Sequence, residues 1–440
     1  MISIGKPYVY IKDNIAYLQA SITISKETVD AYISASKVIK KVHWRTSENY
    51  PPIEWNKENC GLWFAVPSEY KDYLCTERAD AFVVAMLWYA MITGSDIETV
   101  APISEQMSFS IQNFLIPALC RSDNGYKRIK IIGPTSNVRL SNENAVGTGM
   151  SCGIDSIYTL QKYTEDGIPN RYRLTHLTYY NMGAIFHPNR SEKKEYTLKE
   201  FYETTDRMSL EKSKNARQVA ELSHLPLIYV SSNLDKDYYR GAYGHTAVYR
   251  NCAMTLALQK LFSTYLCSSG GWPDYFDLTL TEGSEHYESL LCNCFSTESL
   301  TFLLSDYVTR AEKTEAIADN PIASKFLDVC FCFNNCGKCS KCIRTLVTLD
   351  ILGKVDQFGT IFNIEEFKKH RDEAYFIILK TKDGDSKDDN AVFAKDLFRI
   401  ATERGIIPTK SYELYQDFLK KSKKKHIRKI LKGLIKRITK

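Results

Sequence analysis

The chain has 440 residues, of which 44% are hydrophobic, 25% charged and 12% aromatic. This composition excludes a disordered or collagenous chain, and the length predicts two or three domains. No stretch reaches the ~20 apolar residues that a membrane-spanning helix needs, and the first residues lack the pattern of a signal peptide. Together with an odd number of cysteines, 13, these features predict reduced thiols and a cytoplasmic protein.

Residues 1–140 are predicted to form an N-terminal α+β domain that is accessory or shapes the substrate site. Apolar alternation and periodicity predict its strands and helices. Strands are expected at Tyr8–Tyr10, Ile15–Ile22, Gly61–Val66 and Ile129–Ile132, and helices at Thr76–Thr93 and Ile103–Leu119. This region carries no recognisable chemical motif.

Residues 141–355 alternate strand and helix patterns. Such alternation predicts crossover connections and an α/β fold, a parallel sheet with helices on both faces. A strand of small residues is expected before residue 150, followed by helix Asp155–Lys162, strand Leu174–Tyr180, helix Ser209–Leu222, strand Leu225–Val230 and helix Val248–Tyr265.

Residues 356–440 are predicted to be a helical C-terminal region that ends in a basic amphipathic tail. The tail, 420–440, holds 11 Lys or Arg residues and no acid, so the rest of a chain with net charge +6 carries −5. Its apolar residues recur at helical spacing. Three interpretations stay open: peripheral binding to an anionic membrane surface on the inner face, binding to nucleic acid, or a solvated terminal helix.

The segment that follows the strand of small residues has the features of a phosphate-binding loop. Successive backbone N–H groups at the start of a helix form an anion site, and Gly153 allows the main chain to approach a phosphate closely. The serine hydroxyls add donors, and Asp155 is suited to hold Mg²⁺ against the phosphates. The residues are Ser151, Cys152, Gly153, Ile154, Asp155 and Ser156.

A cluster of cysteines predicts a metal site. Three cysteines separated by two residues each place their sulfurs around one turn, and a fourth from just upstream completes a tetrahedral shell. The four are Cys330, Cys336, Cys339 and Cys342, with Cys332 as an additional thiol. In a reducing compartment such thiolates bind metal. A closed four-cysteine shell favours structural Zn²⁺, and an iron–sulfur cluster is the alternative.

The loop resembles the S-G-G-x-D-S motif of the PP-loop ATP pyrophosphatase superfamily, with Cys152 in place of the first glycine. The string CGKCSKCIRT is similar to the zinc element of the 7-cyano-7-deazaguanine synthase family within that superfamily. Two further strings fit this resemblance, Tyr249-Arg250-Asn251 and Lys313-Thr314-Glu315. The similarity covers residues 145 to 355, so the chain looks like a long, divergent relative. Long relatives of this kind are associated with surface-polysaccharide loci and anti-phage systems.

The resemblance implies an activity. PP-loop enzymes use ATP and Mg²⁺ to adenylate a carboxylate or amide oxygen, releasing pyrophosphate, and a nitrogen nucleophile then displaces AMP. Asp155, Ser156, Arg250 and Lys313 would be catalytic, and Asn181, after the second strand, would lie near the adenine. The partners would be a small-molecule or peptide acceptor and ammonia or an amine. Two alternatives remain open: a sulfurtransferase that thiolates a tRNA base or small molecule, and a non-catalytic nucleotide-binding module.

Overall fold

The computed structural model describes residues 1–43, 60–185, 197–239, 242–270, 276–279, 283–330, 334–383 and 389–421. Its strands are β1 (Ile2–Ile4), β2 (Tyr8–Lys12), β3 (Ile15–Ile24), β4 (Cys60–Pro67), β5 (Ile97–Thr99), β6 (Ile103–Ser104), β7 (Ile131–Ile132), β8 (Thr135–Ser136), β9 (Ala145–Gly149), β10 (His176–Asn181), β11 (Leu227–Ser232), β12 (Phe262–Cys267) and β13 (Thr301–Leu304). Its α-helices are α1 (Lys26–His43), α2 (Asp80–Thr93), α3 (Glu105–Ser110), α4 (Ile116–Ser122), α5 (Ile154–Thr164), α6 (Leu198–Leu222), α7 (Tyr243–Leu256), α8 (Glu288–Phe295), α9 (Arg310–Ile317), α10 (Pro321–Phe326), α11 (Ser340–Ile351), α12 (Ile364–Lys369), α13 (Arg371–Thr381) and α14 (Asp389–Glu403), with further helix at 409–421.

The chain divides into two compact units, Met1–Thr309 and Arg310–Lys440. The first unit is α/β and is built on one eleven-stranded, mostly parallel sheet in the order β13-β12-β9-β10-β11-β4-β3-β1-β5-β7, with β2 paired to β3. The strands β9 to β13 pair with one another only in parallel. The predicted α/β class with a parallel sheet is therefore present.

The N-terminal region continues the sheet of the α/β region. Strand β4 pairs antiparallel with β11, with Ser231 opposite Ala65, and β3 then pairs with β4 along its length. The first unit thus runs across the predicted boundary at residue 140, because the backbone hydrogen bonds of β4 and β11 join the two segments.

The parallel part of the sheet is doubly wound. Numbered along the chain from β9, its strands lie in the order 5-4-1-2-3, so the direction of winding reverses between β9 and β12. Right-handed crossovers, the nearly universal form, then place α5 and α6 on one face and α7 and α8 on the other. The crevice beyond the carboxyl ends of β9 and β12 is the place where doubly wound sheets bind ligands.

Helix α2 forms the centre of the first unit's core. Each of its 14 residues is buried, and it packs against α7 and α1. An apolar sequence without a polar face predicts such a buried helix, and Gly94 ends it in the left-handed conformation. Among the described residues, no helix combines the length and apolar character needed to cross a bilayer.

One predicted helix was wrong over its second half. The pattern at Val248–Tyr265 was assigned to a single helix, whereas α7 ends at Leu256 and β12 begins at Phe262. Strand β12 lies between β9 and β13. A strand with neighbours on both sides and both faces covered has a continuous apolar run, which local periodicity does not distinguish from a buried helix.

The second unit is helical in the part that the structure describes. Helix α11 packs against α9, α13 and α14, which brings segments from both sides of residue 355 into one unit. The ring of Phe393 has the guanidinium of Arg344 at 4.0 Å and that of Arg310 at 4.7 Å from its centroid. The predicted boundary at 355 therefore lies inside this unit. The basic tail beyond residue 421 lies outside the described residues.

Candidate functional site

The predicted phosphate loop leaves the carboxyl end of β9, the strand next to the reversal of winding. Strand β9 is buried, and its Thr148 donates a side-chain hydrogen bond of 2.7 Å to the Leu266 carbonyl of β12. On the other side, the Met150 N–H donates to the Thr178 carbonyl of β10 at 2.8 Å. The loop that follows is therefore fixed at the carboxyl ends of the strands, beside the crevice.

The loop is held by short-range hydrogen bonds from its serines. The Ser151 hydroxyl accepts from the Gly153 N–H at 3.3 Å, and the Ser156 hydroxyl donates to the Gly153 carbonyl at 3.1 Å. The two hydroxyls lie 3.4 Å apart. Gly153 is the N-cap of α5 and gives no side-chain cap. The first turn of α5 therefore begins beside the Ser151 hydroxyl, which can donate to an anion.

The amino-terminal end of helix α5 lies at the crevice. The first N–H groups of a helix have no intrahelical carbonyl to bond, and the helix dipole adds partial positive charge there. Ile154 and Ser156 are buried, whereas Asp155 is partly exposed. The arrangement is suited to a bound phosphate on the backbone and a cation on the Asp155 carboxylate.

Helix α5 is fixed in place from the far side of the crevice. The Ser305 carbonyl, directly after β13, accepts from Lys162 Nζ at 3.0 Å and from the Tyr163 hydroxyl at 2.7 Å. The Thr159 hydroxyl donates to Ser305 Oγ at 3.0 Å. These bonds set the helix axis, and with it the direction of the first-turn N–H groups.

Cys152 occupies the position where the resembled motif has a glycine. Its φ is +60°, in the left-handed region where a β-carbon costs roughly 1–2 kcal/mol. The residue is 1% exposed. Its thiol is therefore in the protein interior and not on the open side of the loop, so it does not occupy the space above the backbone amides.

We expect Cys152→Gly to fold with a stability within about 1 kcal/mol of the original, because relief of the left-handed strain offsets the lost burial of one side-chain methylene and sulfur. Cys152→Val should lose about 2 kcal/mol or more, because a β-branched residue is poorly tolerated at positive φ. All five tryptophans lie in the first unit, so urea unfolding followed by tryptophan fluorescence measures both variants. A glycine variant less stable than the valine variant would contradict this explanation.

Asn181 ends β10 at the same sheet edge. Its side-chain amide donates to Asp206 Oδ1 on α6 at 2.9 Å. Strand β9 pairs with β10 only as far as Thr178, whereas β11 pairs with it as far as Asn181. The pairing of β9 with β10 thus stops before the end of β10, which is where the resemblance places the adenine.

Arg250 lies inside the protein, close to this edge. It is fully buried on α7. Its guanidinium donates to Asp235 Oδ1 at 2.8 Å, to the Met182 carbonyl and to Thr246 Oγ1 at 2.7 Å. The rings of Tyr239 and Tyr243 lie over it at 5.1 and 5.6 Å. Arg250 thus joins the segments that follow β10 and β11, and it is a positioning residue in this geometry.

Sequence reasoning missed the residues that hold Arg250. Gly183 has φ +86°, and a β-carbon there would lie 2.6 Å from Arg250 Nη1 and 2.4 Å from Asp235 Cγ. Only glycine allows this approach. The sequence offered one signal for this contact, a glycine two residues after a strand. Asp235 and Arg250 are 15 residues apart in the chain, so no local pattern pairs them.

We expect Arg250→Ala to destabilise the first unit by about 3–5 kcal/mol, since it leaves the Asp235 carboxylate without its buried partner. Arg207→Ala, on the exposed face of α6, is the matched control and should change stability by less than about 0.5 kcal/mol. Tryptophan fluorescence during urea unfolding measures both. Equal losses in the two variants would show that the buried pair contributes nothing specific.

Lys313 belongs to the second unit. It lies on α9, and its side chain is buried, with 1% exposure. Its predicted contact with the ATP phosphates stays a prediction.

The four predicted metal-ligating cysteines come together in the second unit. The sulfurs of Cys330, Cys336, Cys339 and Cys342 all lie within 4.8 Å of one another. The Cys330–Cys339 and Cys336–Cys342 sulfur pairs are 3.8 and 4.0 Å apart. With metal–sulfur bonds of about 2.3 Å, the sulfurs of a tetrahedral zinc site lie about 3.8 Å apart. The spacing therefore fits Zn²⁺.

Backbone donors and a tight turn shape the cysteine cluster. Cys336 Sγ accepts from the Cys339 N–H at 3.3 Å, and Cys339 Sγ caps α11 by accepting from the Cys342 N–H at 3.5 Å. Gly337 has φ +69°, the left-handed conformation that a tight turn between the cysteines uses. Such N–H donors stabilise thiolate sulfur. The Cys330 and Cys339 thiols raise the pKa of the Cys342 thiol; a bound cation would oppose that effect. Cys332 lies outside the described residues.

No protein-family model, curated protein or solved structure gives a significant match to this chain. The similarity to PP-loop enzymes therefore rests on the loop motif, the cysteine element and the two shorter strings.

Proposed function

We propose that the chain is an ATP-dependent ligase of the PP-loop type, similar to 7-cyano-7-deazaguanine synthase, which forms AMP and pyrophosphate while activating a carboxylate or amide oxygen. The observation that carries the proposal is the position of residues 151–156. They follow the strand at the reversal of winding and end in the first turn of α5. Phosphate-binding loops of doubly wound folds occupy this place.

The proposed reaction begins with attack of the acceptor oxygen on the α-phosphorus of ATP. A new P–O bond forms to the acceptor, the bond between the α-phosphorus and the bridging oxygen breaks, and pyrophosphate leaves. The N–H groups of the α5 first turn and the hydroxyl of Ser151 donate to the departing phosphate oxygens, while the Ser156 hydroxyl keeps its bond to the Gly153 carbonyl. These donors are already oriented by the bonds at Gly153, so they stabilise the developing charge without reorganisation.

In the second step the nitrogen of ammonia or an amine attacks the activated carbon, the C–O bond to AMP breaks and the nitrogen loses a proton. Asp155 is the residue that would hold Mg²⁺, which would neutralise phosphate charge when bound. The end of β10 at Asn181 would receive the adenine. Zn²⁺ on the four cysteines would be structural, because the shell has no open position.

The sulfurtransferase alternative has weaker support. Cys152, one of the two thiols that suggested it, is buried, whereas a persulfide-carrying cysteine must reach solvent and substrate. The non-catalytic alternative predicts nucleotide binding without turnover.

Pyrophosphate–ATP isotope exchange tests the proposal. The full chain is incubated with ATP, Mg²⁺, labelled pyrophosphate and a panel of carboxylic acids and amides. We expect label in ATP only with Mg²⁺ and with an acceptor, and AMP rather than ADP as the product once ammonia is added. ATP binding without exchange would favour the non-catalytic module, and dependence on sulfide would favour sulfur transfer.

A further inference from the structure

Two exposed aromatic rings lie side by side on the surface of the first unit. Phe109 and Phe114 are 58% and 55% exposed, and their rings pack edge to face with centroids 5.8 Å apart. A π-helical turn, Ile111–Leu115, joins α3 to α4 and brings the two rings onto one side of this helical segment. Exposed phenylalanines in contact with each other are unusual on a surface without a binding role.

A cleft lies along α4, beginning three residues beyond Phe114 in the chain. It has a volume of about 590 Å³ and is lined by Pro117, Ala118, Cys120, Arg121 and Arg128. Pro117, Ala118 and Arg121 are three, four and seven residues beyond Phe114, which is the spacing of one helix face. The exposed rings are therefore close in the chain to a cleft that two arginines, Arg121 and Arg128, line.

The charge around the cleft is positive. Four exposed cations occur within ten residues: Arg121, Lys127, Arg128 and Lys130. Among the described residues none of the four forms an ion pair. The nearby carboxylates of Asp96 and Asp123 accept backbone N–H groups, from Lys130 and Gly125, at 2.7 Å each. The positive charge thus faces solvent, on a chain that carries −5 outside its basic tail.

We propose that this Phe–Arg surface, formed by Phe109, Phe114 and the cleft that Arg121 and Arg128 line, binds single-stranded nucleic acid. Aromatic faces accept unpaired bases by stacking, and an adjoining row of cations follows the phosphates. Bases inside a duplex cannot reach the rings, so a single strand is the ligand that uses both features. This activity goes beyond the proposed ATP chemistry and does not depend on it.

Fluorescence anisotropy with the full chain tests the Phe–Arg surface, using a labelled 12-nucleotide oligo(U), the matching oligo(dT) and a 12-base-pair duplex. We expect the single strands to bind at least tenfold more tightly than the duplex. Arg121→Gln/Arg128→Gln should weaken single-strand binding at least tenfold at low salt and lower the slope of log Kd against log salt by about 1.4, for two lost phosphate contacts. Phe109→Ala/Phe114→Ala should also weaken binding at least tenfold but leave the salt slope unchanged.

The matched control is Arg171→Gln/Arg217→Gln, which removes two exposed cations elsewhere in the first unit. It should bind as the original chain does. Equal weakening in the control, or unchanged binding in both variants of the Phe–Arg surface, would assign the binding to general charge or to the basic tail and overturn the proposal. So would displacement of the single strand by an acidic aromatic peptide at lower concentration than by unlabelled oligo(U), which would make the Phe–Arg surface a peptide site. Tryptophan fluorescence melts confirm that each variant is folded.

Discussion

Asp155→Asn is expected to lower the rate of AMP formation by about 100-fold or more. The carboxylate is partly exposed in the first turn of α5, where it can hold Mg²⁺ against the phosphates. Loss of one preorganised group that stabilises transition-state charge costs about two to three orders of magnitude in rate. Turnover of ATP to AMP, followed chromatographically at saturating ATP, measures the effect.

Ser156→Ala in the same loop should cost less, about tenfold, because the backbone N–H groups remain. The matched control is Asp166→Asn, which removes a fully exposed carboxylate beyond the end of α5. It should leave the rate within a factor of two. If Asp155→Asn and Asp166→Asn were equally active, the proposed cation site on α5 would be in the wrong place.

Cys342→Ser is expected to remove the bound metal and unfold much of the second unit. Cys342 is fully buried at the start of α11, the helix against which α9, α13 and α14 pack. Structural zinc sites contribute on the order of 10 kcal/mol to folding, so loss of one ligand removes a large part of that unit's stability. Metal content by mass spectrometry and helicity by circular dichroism measure the two effects.

The control for the cysteine cluster is Cys120→Ser, a partly exposed cysteine of the first unit. It should keep one equivalent of zinc and the original helicity. Treatment of the unaltered chain with a strong chelator should reproduce the loss of helicity seen in Cys342→Ser. A Cys342→Ser protein with full zinc content, or a chelated chain with unchanged helicity, would refute a structural metal site.

The local features of the fold were readable from the sequence. The helix α2, its end before Gly94, the strand before residues 151–156 and the start of α5 follow from apolar patterning and from glycine placement. The cysteine cluster was readable because its ligands are close in the chain. In each case the relevant contacts lie within a few residues of each other.

Contacts between distant segments were not readable in the same way. The pairing of β4 with β11 joins residues about 170 positions apart, and no local pattern specifies the partner of a strand. The resemblance of the string Tyr249-Arg250-Asn251 implied that Arg250 is catalytic. Its burial follows from Asp235 and Met182, which only the folded chain brings near it.

We propose that residues 151–156 hold the terminal phosphates of ATP. Isothermal titration of the unaltered chain with Mg²⁺–pyrophosphate, alone and in the presence of α,β-methylene-ATP, tests it most directly. We predict that pyrophosphate binds at one site and competes with the analogue, and that AMP binds at least 100-fold more weakly than ATP. Pyrophosphate that failed to bind, or that bound together with the analogue, would contradict the assignment of this loop.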